Sequence, residues 1–247
     1  MGSAFVEEGL LRGYEVIGVS RNPSKFNSIR WPGFTGVKGD ITNIDSVRNL
    51  MKDVDYVIVS VMASNPSSYD EVTADDVDTP TPEASVQNVG ATNLITISRE
   101  LGDDAPRIIQ VNGGSTIYYN GKQLFEYMPP GVAPAQGTEG YSVMWGHHVV
   151  LETYAAAPDV KWTVATAAPG IEFGVRGERT QRPIWTGPGE FELPPEQLKL
   201  EFRGAFIDAV RHLSGDFSTV DFGRAIFDEI ENGQYIGQRF TVMYADQ

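Results

Sequence analysis

Apolar positions along this chain fall into two alternating kinds of run, some spaced at the helical period and others short and continuous. That alternation predicts an α/β chain. Over residues 1–12, Phe5, Val6, Leu10 and Leu11 oppose Glu7, Glu8 and Arg12, an amphipathic helix that Gly13 stops. A buried strand over 15–19 follows, with Arg21 just past its end. Residues 34–38 read as a short strand closed by Gly39-Asp40, 44–52 as a helix, and 55–61 as a strand apolar nearly throughout. Such continuity is expected of a parallel strand covered on both faces. A long helix over 83–101 places Val86, Val89, Leu94 and Ile97 at helical spacing. The strand over 107–111 runs into Asn112-Gly113-Gly114-Ser115-Thr116. A helix over 139–156, a strand-like run over 162–166, helices over 195–213 and 220–231, and a strand over 239–244 complete the pattern. Strands alternating with helices throughout imply a doubly wound, mostly parallel sheet with helices on both faces.

Composition narrows this picture. The 247 residues suit one domain, with substrate-side elements drawn from 62–82, 112–140 and 168–216. No apolar run has membrane-spanning length and no leader pattern opens the chain, so a cytoplasmic protein is expected. A formal charge of −14 argues against nucleic acid and anionic membranes as partners, because phosphate binding rests on Lys and Arg. With no cysteine, thiolate catalysis, disulfides and Cys-based metal sites are excluded. His147 and His148 point about 100° apart on a helix and His212 lies far along the chain, so no metal site is expected.

The remaining chemistry gathers around two long loops, 65–83 and 127–140, of the kind that line sites in compact domains. Tyr118, Tyr119, Phe125, Tyr127, Trp145 and Trp185, with Met62, are candidates to line an apolar pocket and fold a small substrate into a reactive shape. They are equally ordinary packing residues, since aromatics dominate most cores. Tyr141, Ser115 and Asn112 are the candidates to give a hydrogen bond or a proton to a carbonyl, and His148 and Glu172 the further polar groups of the pocket. Arg21 stands where a doubly wound sheet meets an adenosine ribose, and an Arg there suits a 2′-phosphate.

The order of the Gly2-Ser3 helix, GVSRNPSK, the GD at 39–40, VIVSV, RIIQVNGGS, KWTVATAAP, FDEIEN and QRFTVMY resembles the NmrA-like, atypical short-chain dehydrogenase/reductase group. The likeness is greatest to its NAD(P)H-binding, flavin-reductase-like branch and extends over most of the chain. It implies a Rossmann-like fold, with the cofactor on Gly2, Arg21, Lys25, Asp40 and Val61 and the substrate near 112–116. Two departures follow from it. The family's opening strand and the first glycines of its phosphate turn are expected to be missing, with Gly2 standing at the last glycine of that turn. The Tyr-x-x-x-Lys pair of ordinary members reads Tyr141-Ser142-Val143-Met144-Trp145, and Trp can neither lower a Tyr pKa nor hold the nicotinamide ribose.

These departures favour, at this stage, a non-redox cyclase or isomerase of natural-product type that needs no cofactor and acts on a small apolar substrate. The alternatives are an NADPH-dependent reductase of a flavin, carbonyl or enone, and an NADP-sensing regulatory protein. A homodimer stays open as an assembly.

Overall fold

The computed structural model describes residues 1–61, 85–119, 121–123, 139–167, 178–188, 190–191 and 217–245. Five strands form the main sheet: β3 (Tyr56–Val59), β4 (Arg107–Asn112), β7 (Trp162–Ala167), β10 (Gln238–Tyr244) and β8 (Ile184–Gly187), hydrogen-bonded in that order. All of its pairings are parallel except β8 on β10. Beside it, β1 (Val16–Ser20) and β2 (Phe34–Lys38) pair with each other in parallel as a separate two-stranded sheet. The short strands β5 (Tyr118–Tyr119), β6 (Lys122–Gln123) and β9 (Glu190–Phe191) make a third sheet, in the order β6-β5-β9.

Helices cover the main sheet on both faces, because successive strand residues point to opposite sides. Ile109 and Val111 of β4 join one core with α1 (Gly2–Leu11) and α5 (Thr219–Asn232), built on Phe5, Phe222, Ile226 and Phe227. Ile108 faces the opposite core with α2 (Ile44–Met51), α3 (Val86–Leu101) and α4 (Glu139–Ala155), where Met51, Leu94, Ile97, Val150 and Tyr154 meet. The doubly wound, Rossmann-like architecture expected from the sequence is therefore the observed one.

Local chemistry sets the boundaries. Ser218 caps α5 by accepting from the Asp221 N–H at 3.0 Å, and Gly233 closes it in a left-handed conformation at φ 65°, which costs glycine nothing. Ser85 caps α3 in the same way through the Asn88 N–H. Helices α1 and α5 pack closely because α1 presents Gly9, where a Cβ would come within 2.8 Å of the Phe227 ring. The helix expected over 195–213 lies outside the described residues. The small third sheet was not foreseen, since two-residue strands in a Gly- and Pro-rich stretch carry no readable period.

Candidate active site at the carboxyl edge of the sheet

β1 runs parallel to β2 and β3 to β4, and Tyr14 just ahead of β1 meets Tyr56 at the start of β3, so the residues that follow these strands lie toward one side. Near that side lies the amino end of α1: Gly223 in the first turns of α5 lies against Ala4, and the α5 cap Ser218 donates its N–H to the Tyr244 hydroxyl at the end of β10 at 3.4 Å. The first turn of α1 contains no acidic residue, and a Cβ on Gly2 would meet nothing within 4 Å among the described residues. A helix amino end without acidic side chains favours an anion through its N–H dipoles.

Past β1, Asn22 accepts from the Ser24 N–H at 3.1 Å and shapes the single 3-10 turn Pro23–Phe26, leaving Arg21 and Lys25 exposed beside it. Past β2, Asp40 accepts from both the N–H (2.9 Å) and the hydroxyl (2.7 Å) of Thr42. Those hydrogen bonds hold its carboxyl below the usual range, and the charge of Arg21 adds to the effect. The Arg21 and Asp40 loops therefore lie close enough to interact. Past β3, the Val61 carbonyl accepts from the Gln87 amide at 2.7 Å. Gln87 is buried, and it is a site residue that sequence reasoning missed; its signal was a polar group inside the apolar stripe of α3.

Past β4, Asn112 is buried, and its amide donates to the His147 carbonyl at 2.9 Å, tying β4 to α4. The His147 ring lies directly on the Cα of Gly113, so close that a Cβ there would fall inside van der Waals contact. Burial pushes the His147 pKa down to about 4, which keeps the imidazole neutral at physiological pH. Thr116 closes the turn, its hydroxyl donating to the Gly113 carbonyl at 3.0 Å. One turn from Asn112's partner, Trp145 and His148 are both partly buried and meet edge-on, their ring centroids 6.1 Å apart.

The remaining expected site residues separate into groups. Asn112, Trp145 and His148 are brought together through β4 and α4. Tyr118 stands apart on the small third sheet, where its hydroxyl accepts from Gln123 and its ring takes the Arg239 guanidinium at 4.8 Å. Trp185 sits on β8, three strands from β4 in the sheet order, with its ring folded over Gly187. Ser115, Tyr119 and Tyr141 belong to described turns, strands and helices, but their side chains lie outside the described residues. Met62, Phe125, Tyr127 and Glu172 also lie outside them.

Parallel strands alternating with helices, with a basic residue past β1 and an acidic one past β2, have the layout of dinucleotide-binding folds. The chain belongs to the NAD(P)H-binding family, whose model matches residues 1–165. The NmrA-like, atypical short-chain reductase resemblance of its sequence agrees with this. Solved structures agree on the fold. A candidate epimerase from Bacteroides thetaiotaomicron is 21% identical with a TM-score of 0.65, covering 100% of this chain and 93% of its own. A candidate NADH-flavin reductase from Streptococcus pneumoniae is 17% identical with a TM-score of 0.61, covering 98% of this chain and 93% of its own. A protein from Lactobacillus casei is 16% identical with a TM-score of 0.67, covering 99% and 94%. No curated protein matches the chain. Among the described residues, no helix is long and apolar enough to cross a membrane.

Proposed function

We propose that this chain is an NADPH-dependent reductase of a flavin or of a carbonyl or enone. What supports the reading is that the chain belongs to an NAD(P)H-binding family, with the charge of Arg21 acting on Asp40 and a first turn of α1 free of acid. The residues fit the cofactor. The absence of acid in the first turn of α1 suits a diphosphate, while the exposed Arg21 and Lys25 suit a 2′-phosphate. Asp40, held ionised, suits an adenosine hydroxyl or amino donor. When bound, the nicotinamide supplies the hydride. This chain's part is to hold the acceptor at the Asn112–Thr116 turn, where α4 brings Trp145 and His148. The expectation that no cofactor is needed thus yields to the family's own chemistry.

The non-redox isomerase or cyclase reading keeps one specific observation. Trp145, partly buried against His148, occupies the position where ordinary members of the resembled family carry Lys. One assay separates the two: the purified chain with NADPH and either FMN or a conjugated enone, followed by absorbance of the reduced nicotinamide. The reductase reading predicts turnover above the uncatalysed rate with at least one acceptor. Tight NADPH binding without any oxidation across acceptors would favour the non-redox reading.

A further inference from the structure

Arg239 stands in β10 opposite Val164 of β7, which in turn stands opposite Gln110 of β4. Residues in register on neighbouring strands share a face, and Val164 packs in the core with Val150 and Tyr154 of α4. Arg239 therefore leaves the sheet on the α4 side, just short of the row that holds Asn112, Thr166 and Thr241. The residue is partly buried, and its guanidinium is directed at backbone carbonyls. It donates to the carbonyl of Thr116 and, at 2.5 Å, to that of Pro188, and it lies 4.8 Å from the centre of the Tyr118 ring. Burial lowers its pKa, and the nearby Tyr118 and Glu190 oppose that shift.

These partners belong to separate parts of the fold. Thr116 closes the turn that follows β4, Tyr118 is the first residue of β5, and Pro188 lies between β8 and β9. One cation thus ties β10 to the acceptor turn and to the third sheet. The other end of the turn is held by α4: Asn112 donates to the His147 carbonyl at 2.9 Å, and the His147 ring lies on Gly113. Between the two holds the turn closes on itself. The Thr116 hydroxyl and N–H donate to the Gly113 carbonyl at 3.0 and 3.3 Å, and the Ile117 N–H donates to that of Gly114 at 3.1 Å. A short turn that contains both Gly113 and Gly114 has little stiffness of its own, so its position is set by what grips its ends.

We infer that Arg239 is a positioning residue: it fixes the carbonyl of Thr116, and with it the backbone of Ser115, so that the acceptor turn keeps one place at the end of β4. The assignment of this turn to the acceptor rests on the reductase reading, whereas the grip on Thr116 does not. Arg suits the task better than another long side chain. Its planar fork reaches two carbonyls at once and its flat cation lies against an aromatic ring, while Lys offers a single ammonium point. The consequence for chemistry is geometric. Reacting atoms must come within about 3–3.5 Å of each other, and a drift of about 1 Å costs on the order of 100-fold in rate.

The test compares Arg239→Met and Arg239→Lys with the unsubstituted chain, after urea unfolding has shown that each is folded. Met keeps an apolar stem and removes the fork; if it does not fold, Arg239→Lys carries the same comparison. In Arg239→Met the Thr116 and Ile117 amides, followed by NMR hydrogen exchange without nucleotide, should exchange about tenfold faster or more, while those of β4 stay protected. With NADPH and either FMN or a conjugated enone, kcat should fall about 10- to 100-fold, with NADPH affinity within about twofold of the unsubstituted chain. Arg239→Lys should recover part of both losses, because it still reaches one carbonyl. Unchanged exchange at Thr116 and Ile117 would overturn the inference, and so would faster exchange with kcat and acceptor KM both unchanged. A fall in NADPH affinity as large as the fall in kcat would overturn it equally, since the damage would then be general. An unsubstituted chain without turnover would sink the reductase reading, and the exchange comparison would still decide whether Arg239 holds the turn.

Discussion

At the scale of single residues, His147 ties stability to pH. Its imidazole lies on Gly113, its carbonyl holds Asn112, and burial keeps its folded-state pKa near 4 against 6.5 for the free side chain. Above pH 6.5 the group is neutral in both folded and unfolded chains and contributes nothing to the difference. As pH falls from 6.5 towards 4, the unfolded chain takes up a proton that the folded chain refuses, so stability is lost across that window. Full burial would make the loss about 3 kcal/mol, and because the residue as a whole is only partly buried the loss is about 1–2 kcal/mol. Urea unfolding at pH 7 and pH 4.5 should show that loss in the wild type and a smaller one in His147→Gln. Equal losses in the two proteins would mean that His147 does not carry the effect.

At the scale of elements, the join between β4 and α5 rests on a buried ion pair. Arg107, the first residue of β4, pairs with Glu229 near the end of α5, and both are nearly inaccessible. Most of their remaining capacity is satisfied, the Arg107 Nε being without a hydrogen-bond partner among the described residues. Arg107 also donates to the Glu229 carbonyl at 3.1 Å and to the Thr163 hydroxyl at 2.6 Å, while Glu229 accepts from the N–H groups of Gln234 and Tyr235. Glu229→Ala leaves a buried guanidinium without its counter-charge and should cost about 3–5 kcal/mol. The double change Arg107→Met with Glu229→Leu should cost clearly less, because no lone charge remains. Urea midpoints of the two variants make the comparison, and a double variant as unstable as the single one would contradict it.

The same elements show what a sequence can reveal. The helix expected over 220–231 is observed as Thr219–Asn232, because an apolar stripe between a serine cap and a glycine stop is visible without any fold. The strand ends at Arg21, Asp40, Val61 and Asn112 were legible for a related reason: a parallel sheet puts all its carboxyl ends on one edge. The Arg107–Glu229 pair was not, since its members lie 122 residues apart. Nor was the seat of His147, which depends on how α4 is rotated against Gly113. Tyr118 and Trp185, grouped with the pocket by composition alone, belong to different sheets, and their type gave no hint of that.

At the scale of the whole molecule, the chain is strongly acidic, yet the loop after β1 exposes Arg21 and Lys25, and the first turn of α1 is free of acid. A general anion would be repelled by the overall charge, so any binding of a dinucleotide phosphate must come from this local arrangement. The direct test is a calorimetric titration of the purified chain and its Arg21→Ala variant with NADPH and with NADH. The account predicts NADPH binding in the micromolar range, about −8 kcal/mol, weakened about tenfold by Arg21→Ala, with NADH affinity little changed. No binding of either nucleotide at millimolar concentration, by a chain whose cooperative urea unfolding shows it folded, would contradict it.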